Sequence, residues 1–308
     1  MEKIKEFRKQ MNSLFLGKEE IVDNVLCSFL AGGHVLLEDV PGVGKTTLAS
    51  CFAYTLGLGF GRVQFTPDTM PGDVTGLTVY NMKNGEFDYR EGAIMKNIVL
   101  ADELNRTPPK TQSALLEAMA EGQVTVDGIR HPLPDPFMVI ATQNPVSFAG
   151  TYPLPEAQLD RFMMRLSIGY PSEEAEKEML RSKISENGTD KPEAVIDKKD
   201  ISELKKKVSE VHISDGMLGY MQNIVRSTRN SGDFILGLSP RALIHLMQAS
   251  RAKAFLAERD FVKPDDVKQI ALPVLSHRLV LTTEARLKKR EASQLLNELI
   301  LKIKIPVE

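Results

Sequence analysis

The sequence predicts an α/β fold in which a mostly parallel sheet, covered by helices on both faces, is followed by an all-α domain. Up to residue 171, short apolar runs of strand length alternate with helical patterns, as in parallel sheets. After Pro171, every segment follows a helical period and none is a convincing strand. We therefore expect two domains, residues 1–171 and 172–308, in line with the length of 308 residues.

The first domain is predicted to begin with two helices within residues 1–31, which Gly17 separates. A glycine-rich turn and a helix to about Leu56 follow the first strand. Thr107 and Pro108 are predicted as the cap and first residue of a helix that ends near Glu121, and a short helix is expected near 155–162. The predicted strands are 34–38, 62–66, 97–103, 137–145 and 164–170.

Two β-hairpins are predicted between these strands. Asn84-Gly85 and Asp127-Gly128 lie between alternating arms, which is the strongest short-range hairpin signal, and they place the hairpins at 77–92 and 123–133. In the second domain, helices are predicted to begin near Ser172, Asp200, Ser214, Ser239, Pro264 and Thr283.

Composition argues against several classes of protein. The formal net charge of −2 provides no basic field for nucleic acid. The apolar stretches are shorter than a membrane span, and the amphipathic first residues contain no secretory core. Cys27 and Cys51 lie in apolar surroundings without metal-ligand spacing, so we expect buried, reduced thiols. A cytoplasmic protein that neither inserts into membranes nor binds nucleic acid is expected.

The segment "LLEDVPGVGKTTLA", residues 36–49, predicts a phosphate-binding loop. Backbone N–H groups converge where a strand end opens a helix, and the helix dipole adds positive charge there. Gly42 and Gly44 let the backbone close around a phosphate, Lys45 can reach the β- and γ-phosphates, and Thr46 can offer its hydroxyl to Mg²⁺. Asp39 stands where the general pattern has its first glycine. It tolerates a left-handed backbone and its carboxylate can accept N–H bonds, but it places a negative charge near a polyphosphate.

Polar side chains follow two further strands. Asp102 and Glu103 end the buried strand "NIVLADE", at the edge where parallel sheets bind ligands. Asp102 is predicted to hold Mg²⁺ through water, and Glu103 to orient or deprotonate the attacking water. Asn144, at the end of "VIATQN", is expected on the same edge, near the γ-phosphate or that water, although asparagine before proline is also a common turn.

Two arginines are candidates for contacting phosphate. Arg161 lies in "PEAQLDRF", where a surface ion pair is the alternative interpretation. In "SPRAL", Ser239 is predicted as a helix cap with Pro240 at the first position, which places Arg241 in the first turn. A cation there opposes the helix dipole by roughly 0.3–1 kcal/mol, which indicates a partner anion.

These motifs resemble those of the MoxR-type ATPases of the AAA+ superfamily, in the clade with an insert in helix 2. The resemblance runs from about Phe15 to the C-terminus and includes "GDVTG", "NIVLADELNRTPPKTQSALLEAMAEGQVTVDG" and "GTYPLPEAQLDRFMMRLSIGYP". It implies an AAA+ P-loop NTPase core with a five-stranded parallel sheet and two β-hairpin insertions, an all-α lid, and assembly as a ring, commonly a hexamer. The departure from the general phosphate-loop pattern at Asp39 looks like a feature of this family.

The resemblance also implies ATP and Mg²⁺ as ligands and assigns roles by motif. Glu103 looks like the catalytic carboxylate of Walker B, and Asn144 like sensor 1. Arg161 looks like the arginine finger, with Arg165 as the nearby alternative, and Arg241 like sensor 2. Thr46 and Asp102 match the metal-binding positions. The Walker A positions are Asp39, Val40, Pro41, Gly42, Val43, Gly44, Lys45, Thr46 and Thr47.

Members of this family are thought to act as chaperone-like machines that help partners with von Willebrand factor A domains to mature. This sequence has no such domain, so the expected partner is a separate protein. Three alternatives stay open: a chelatase-type motor subunit that drives metal insertion, a nucleic-acid motor, which the near-neutral charge disfavours, and a nucleotide-switched binding module with little turnover.

Overall fold

The computed structural model describes residues 1–83, 85–144, 150–184 and 192–306. The helices are α1 Glu2–Leu14, α2 Glu19–Leu30, α3 Lys45–Thr55, α4 Pro71–Thr75, α5 Pro109–Glu121, α6 Glu156–Leu159, α7 Glu173–Ile184, α8 Lys198–Glu210, α9 Asp215–Asn230, α10 Pro240–Leu256, α11 Pro264–Leu275, α12 Thr283–Leu287 and α13 Ala292–Lys302. The strands are β1 Val35–Glu38, β2 Phe60–Gln64, β3 Gly76–Asn81, β4 Glu86–Glu91, β5 Ile98–Asp102, β6 Gln123–Val126, β7 Ile129–Pro132, β8 Met138–Gln143, β9 Met164–Leu166, β10 Phe234–Leu236 and β11 Val280–Leu281.

Five strands form one sheet in the order β2-β5-β8-β1-β9. The neighbours β2–β5, β5–β8 and β8–β1 are parallel, which confirms the predicted parallel five-stranded core. β5 is buried throughout, and so is β8 up to Thr142, because both strands lie inside the sheet. This explains why they appear in the sequence as continuous apolar runs rather than alternating patterns. The parallel register brings the carboxyl ends of β1, β2, β5 and β8 to one edge.

Both hairpins are present. β3 pairs antiparallel with β4, and β6 with β7. Asn84, part of the first turn signal, lies outside the described residues, as does Pro145 at the end of the fourth predicted strand. The two hairpins contact each other through Tyr89 and His131, whose rings stack with centroids 3.7 Å apart.

The chain divides into two compact units. The first comprises Met1–Val25, His34–Leu154 and Leu166–Ser202, and the second Leu26–Gly33, Pro155–Arg165 and Glu203–Glu308. In the first unit, α1 packs on α3, with the rings of Phe7 and Phe52 edge to face at 5.6 Å. The second unit is mainly helical and buries the apolar faces of α9, α10, α11 and α13. A domain boundary at residue 171 stays a prediction.

Three local predictions were wrong. Helix α5 begins at Pro109, and Thr107 is not its cap; the Thr107 hydroxyl instead donates to the carbonyl of Thr69 at 3.4 Å. The reason is that a residue before proline avoids the α region, so Pro108 is extended. The second half contains a short antiparallel pair, β10–β11, where no strand was expected. Cys51 is half-buried rather than buried.

Among the described residues, no helix is both long and apolar enough to span a membrane.

Candidate nucleotide-binding site

The glycine-rich loop connects the end of β1 to the start of α3. Gly42 and Gly44 have φ angles of 88° and 90°, a region that side chains disfavour, so the loop depends on glycine at both positions. Gly44 is the N-cap of α3 and provides no side-chain cap. The first N–H groups of α3 therefore lack a capping acceptor, which is the arrangement that binds anions at helix N-termini.

A cavity of about 410 Å³ lies beside this loop. It brings together Lys45, Thr46, Asp102, Glu103 and Asn144, which the sequence analysis placed at one site. Its full lining is Pro41, Gly42, Gly44, Lys45, Thr46, Arg62, Gln64, Asp102, Glu103 and Asn144. Ligand cavities typically measure about 300–1,000 Å³, so the volume suits a small organic ligand.

Asp102, which lines the cavity, accepts hydrogen bonds from two side chains. The buried Thr142 hydroxyl donates to Oδ1 at 2.7 Å, and the Arg62 guanidinium donates to Oδ2 at 2.7 Å. Thr142 also accepts a bond from the backbone N–H of Glu103 at 2.8 Å. One hydroxyl on β8 therefore fixes both acidic residues at the carboxyl end of β5.

Glu103 adopts a left-handed backbone conformation, with φ 56° and ψ 46°. For a residue other than glycine this costs roughly 1–2 kcal/mol. The turn aims its carboxylate at the cavity, where Oε2 accepts bonds from Gln64 Nε2 at 3.0 Å and from Arg106 at 2.8 Å. Strain of this kind is common at functional sites.

The Lys45 ammonium donates to the carbonyl of Asp39 at 2.7 Å. Burial lowers the pKa of Lys45, while the negative charges of Asp39, Asp102 and Glu103 oppose that shift. A further anion beside Lys45 would act in the same direction as these carboxylates and stabilise the charged ammonium.

Four predicted loop residues do not line the cavity: Asp39, Val40, Val43 and Thr47. Val43 is buried and Thr47 exposed. The suggestion that Asp39 occupies a left-handed turn was wrong, because its φ is not positive. Its carboxylate instead accepts bonds from the Ser167 hydroxyl and from the backbone of Ile168 and Gly169.

Arg62 and Gln64 were missed by the sequence analysis. Both project from β2 beside the cavity, and Arg62 also donates to Gln64 Oε1 at 2.8 Å. The available signal was the pair of polar residues at alternate positions on either side of buried Val63, which puts them on one face at the carboxyl end of the strand.

Three arginines predicted as site residues belong to the second unit: Arg161, Arg165 and Arg241. Arg161 is half-buried and follows the short helix α6, and Arg165 is half-buried within β9. Ser239 caps α10 as predicted, by accepting from Ala242 N at 3.0 Å, and Pro240 is the first helical residue.

The anion expected beside Arg241 is Asp160 within this unit, with Arg241 NH1 at 3.7 Å from its Oδ2. Asp160 also accepts bonds from the Ser239 hydroxyl at 2.9 Å and from Arg278 at 2.8 Å. Arg278 is almost completely buried, and burial lowers its pKa to about 10 even though Asp160 opposes the shift.

The donor set of the cavity fits a divalent cation bound together with phosphate. The described residues contain no cluster of three or more His, Cys, Asp or Glu side chains able to hold a metal by themselves. The cavity nevertheless combines the Asp102 carboxylate with the Thr46 hydroxyl. Oxygen ligands of this kind suit Mg²⁺, which commonly takes one or two from the protein and the rest from phosphate and water.

Comparisons with known proteins agree with this geometry. Residues 34–164 match the family described as "ATPase family associated with various cellular activities (AAA)", and residues 226–299 match an AAA lid domain. The chain is 49% identical to the uncharacterised protein YeaC of Bacillus subtilis over 97% of this chain and 94% of that protein. It is 38% identical to Chaperone MoxR1 of Mycobacterium tuberculosis over 96% of this chain and 81% of that protein.

A solved structure of a protein from Cytophaga hutchinsonii has the same fold, with a TM-score of 0.92 and 38% identity. The alignment covers 99% of this chain and 96% of that protein. The similarity therefore extends over both the sheet-containing part and the helical part. Together with the two family matches and the relatives named above, it shows that the chain belongs to the MoxR family of AAA+ ATPases.

Proposed function

We propose that the protein binds ATP with Mg²⁺ in the cavity, hydrolyses it, and uses the cycle to remodel a partner protein. The supporting observation is the meeting of Lys45, Thr46, Asp102, Glu103 and Asn144 around one cavity beside a glycine-rich helix start. Phosphoryl transfer requires positioned charged and polar groups around the phosphates. This loop and its neighbours provide a cation, a hydroxyl, two carboxylates and an amide.

In this proposal, the N–H groups of the loop and the Lys45 ammonium bind the β- and γ-phosphates. Thr46 and Asp102 would hold Mg²⁺, Asp102 through water, and the metal would supply positive charge beside the phosphate oxygens. Arg62, which contacts Asp102 directly at 2.7 Å, would compete with that water for the carboxylate.

Glu103 is proposed to accept a proton from the attacking water while the oxygen of that water bonds to the γ-phosphorus. The bond between the γ-phosphorus and the bridging oxygen breaks, and ADP and phosphate leave. Gln64 and Arg106 fix the Glu103 carboxylate, and Asn144, beside it in the cavity, orients the water. Positioning of this kind accounts for most of the catalysis of phosphoryl transfer.

The remodelling role is supported by the 38% identity with a protein named as a chaperone. We propose a cytoplasmic ring, commonly a hexamer, that acts on a separate protein carrying a von Willebrand factor A domain. Arg161, or Arg165 in its place, would stabilise charge on the ATP of the adjacent subunit, and Arg241 would couple nucleotide state to the lid. The net charge of −2 favours a protein client over nucleic acid.

Calorimetry with ATP and Mg²⁺, together with a steady-state phosphate-release assay, tests the proposal. Lys45→Ala should lose tight ATP binding, because a charge-assisted contact disappears. Glu103→Gln should bind ATP normally but release little phosphate. Two exposed residues of α5 provide matched controls: Lys110→Ala and Glu117→Gln should behave as the parent does.

The same assays, with DNA added in one arm, separate the proposal from two of the alternatives. Binding without turnover in the parent chain would favour the nucleotide-switched module over an enzyme. Unchanged affinity in Lys45→Ala would remove the loop from nucleotide binding, and parental turnover in Glu103→Gln would remove Glu103 from the chemistry. Turnover stimulated by DNA, with a steep salt dependence, would restore the nucleic-acid motor.

A further inference from the structure

Asp39 replaces the first glycine of the general phosphate-loop pattern, yet its carboxylate does not line the cavity. The residue is 7% exposed, and three hydrogen bonds to its side chain converge on one carboxylate oxygen, Oδ2. Oδ2 accepts bonds from the Ser167 hydroxyl at 3.1 Å, from the Gly169 N–H at 3.1 Å, and from the Ile168 N–H. These donors belong to one short segment that follows β9. The negative charge is therefore compensated away from the place where phosphates are expected.

The main chain of the same residue serves the loop. The Asp39 carbonyl accepts the bond from the Lys45 ammonium at 2.7 Å, and the Asp39 N–H donates to Gln143 O at 3.3 Å. Asp39 thus connects three parts of the site: the end of β8, the lysine at the start of α3, and the segment after β9. Because the carboxylate fixes the residue, it also fixes the carbonyl that holds Lys45.

The segment that anchors Asp39 is itself held from a second direction. Lys18 donates through Nζ to the carbonyls of Ile168 and of Tyr170, the latter at 2.8 Å. The Ser167 hydroxyl and the N–H groups of Ile168 and Gly169 therefore bind a carboxylate, while the carbonyls of Ile168 and Tyr170 bind an ammonium. The Asp39 carboxylate is therefore bonded to a segment that is itself held in place, which restricts movement of the loop at this residue.

We propose that Asp39 is a positioning residue for ATP binding, and that its hydrogen bonds, rather than its charge, perform this role. This inference rests on the proposed function. Glycine at position 39 would match the general loop pattern, but it would leave the Ile168 and Gly169 N–H groups unpaired in a largely buried place. It would also add backbone freedom beside Lys45. The substitution that restores the common pattern is therefore expected to weaken ATP binding.

Asparagine separates the hydrogen bonds from the charge. All three donors converge on a single oxygen, so an amide oxygen can accept them with the other carboxylate oxygen replaced by the amide nitrogen. Asp39→Asn should keep ATP affinity within about threefold of the parent, by this reasoning. Asp39→Gly should lower affinity at least about tenfold, because loss of the anchor removes a net contribution of at least a charge-assisted hydrogen bond.

The experiment is calorimetric titration with ATP and Mg²⁺, accompanied by phosphate release to separate KM from kcat. Ser167→Ala removes one donor without touching the loop and should lower affinity about two- to fivefold. Asp23→Ala is the matched control: it deletes another carboxylate of the first unit, one that is paired with Arg8 at 2.7 Å. It should lower stability in urea unfolding but leave ATP affinity unchanged.

The inference is overturned if Asp39→Asn binds as weakly as Asp39→Gly, because charge would then be the important property. It is also overturned if Asp39→Gly binds ATP at least as tightly as the parent, or if Asp23→Ala loses affinity in proportion to its stability. A parent chain that binds no ATP would refute the proposed function itself. A parent that binds ATP and loses it through Lys45→Ala, with no response to Asp39→Gly, would refute this inference alone.

Discussion

Two glycines of the loop have nearly the same backbone conformation but different surroundings, which allows strain to be separated from steric conflict. An alanine at Gly42 or Gly44 would have to keep φ near 88° or 90°. The left-handed region costs a side chain roughly 1–2 kcal/mol. At Gly42 an added Cβ meets no atom within 4 Å, whereas at Gly44 it would lie 3.0 Å from Cε2 of Phe15.

The second cost can be estimated from that contact. Carbon atoms of neighbouring groups prefer separations of about 3.5–4.0 Å, so the Phe15 ring would have to move by about half an ångström or more. Phe15 is 8% exposed, and overpacking a buried site typically costs about 1–3 kcal/mol. Gly42→Ala should therefore lower the free energy of unfolding by about 1–2 kcal/mol, and Gly44→Ala by about 2–5 kcal/mol.

Urea unfolding of the nucleotide-free protein measures this difference, and calorimetry with ATP measures the site. Both variants should lose ATP affinity, because any relaxation of φ turns loop N–H groups away from the phosphate. Gly219→Ala within α9 is the control, since its φ is not positive and its added Cβ meets nothing within 4 Å. That variant should be more stable by about 0.5–1 kcal/mol and bind ATP as the parent does.

Two results would refute this reasoning. Equal destabilisation by Gly42→Ala and Gly44→Ala would mean that the Phe15 ring adapts without cost. Parental ATP affinity in both variants would mean that the positive φ angles are not needed for binding.

Three further outcomes are expected. Arg161→Ala should fold and bind ATP but hydrolyse it at least about 10³-fold more slowly; mixing it with Glu103→Gln subunits should restore some turnover, and no recovery in rings shown to be mixed would exclude action on a neighbour. Arg62→Ala should reduce the Mg²⁺ concentration for half-maximal ATP binding about two- to fivefold, because a partly exposed pair with Asp102 is worth up to about 1 kcal/mol; a higher midpoint would contradict this. Burial, followed by cationic neighbours, lowers the pKa of His277 well below 6.5. The neutral imidazole therefore contributes its full stabilisation above about pH 6.5, and the free energy of unfolding should fall by up to about 1.4 kcal/mol per pH unit as pH drops towards the folded pKa. Urea unfolding from pH 7.5 to 5.5 measures this slope, and the same slope in His277→Gln would refute the prediction.

The central sheet could be predicted because each of its strands is a short continuous segment with turn residues at its ends. β1, β5 and β8 are apolar runs bounded by turn residues, and their burial inside a parallel sheet makes those runs continuous. β10 and β11 have three and two residues, which is too short for any period to appear. The start of α5 was misplaced by one residue because the second proline, not the first, decides where the helix can begin.

The candidate site could be predicted in part because one segment contains several of its residues. Gly42, Gly44, Lys45 and Thr46 lie within a few residues of one another, so spacing alone grouped them, and all four line the cavity. The surroundings of Asp39 could not be predicted, since its partner Ser167 is 128 residues away in the sequence. Arg62 was missed for a related reason: only the pairing of β2 with β5, which places Gln64 opposite Asp102, shows that the polar side of β2 faces the acids.

The position of Arg241 in the first turn of a helix indicates that an anion lies nearby, but not how strongly that anion holds it. A cation in the first turn of a helix required an anion, and Asp160 is one. Asp160 does not hold its two arginines equally, however. Arg278 is 2% exposed with a contact of 2.8 Å, whereas Arg241 is 47% exposed with a contact of 3.7 Å, longer than a hydrogen bond. Removing Arg278 from Asp160 would leave buried charges unpaired, but moving Arg241 to another anion would cost no more than a surface ion pair. Within this cluster, Arg241 is therefore the more exposed and more weakly held arginine, which is what the proposed contact with a phosphate requires.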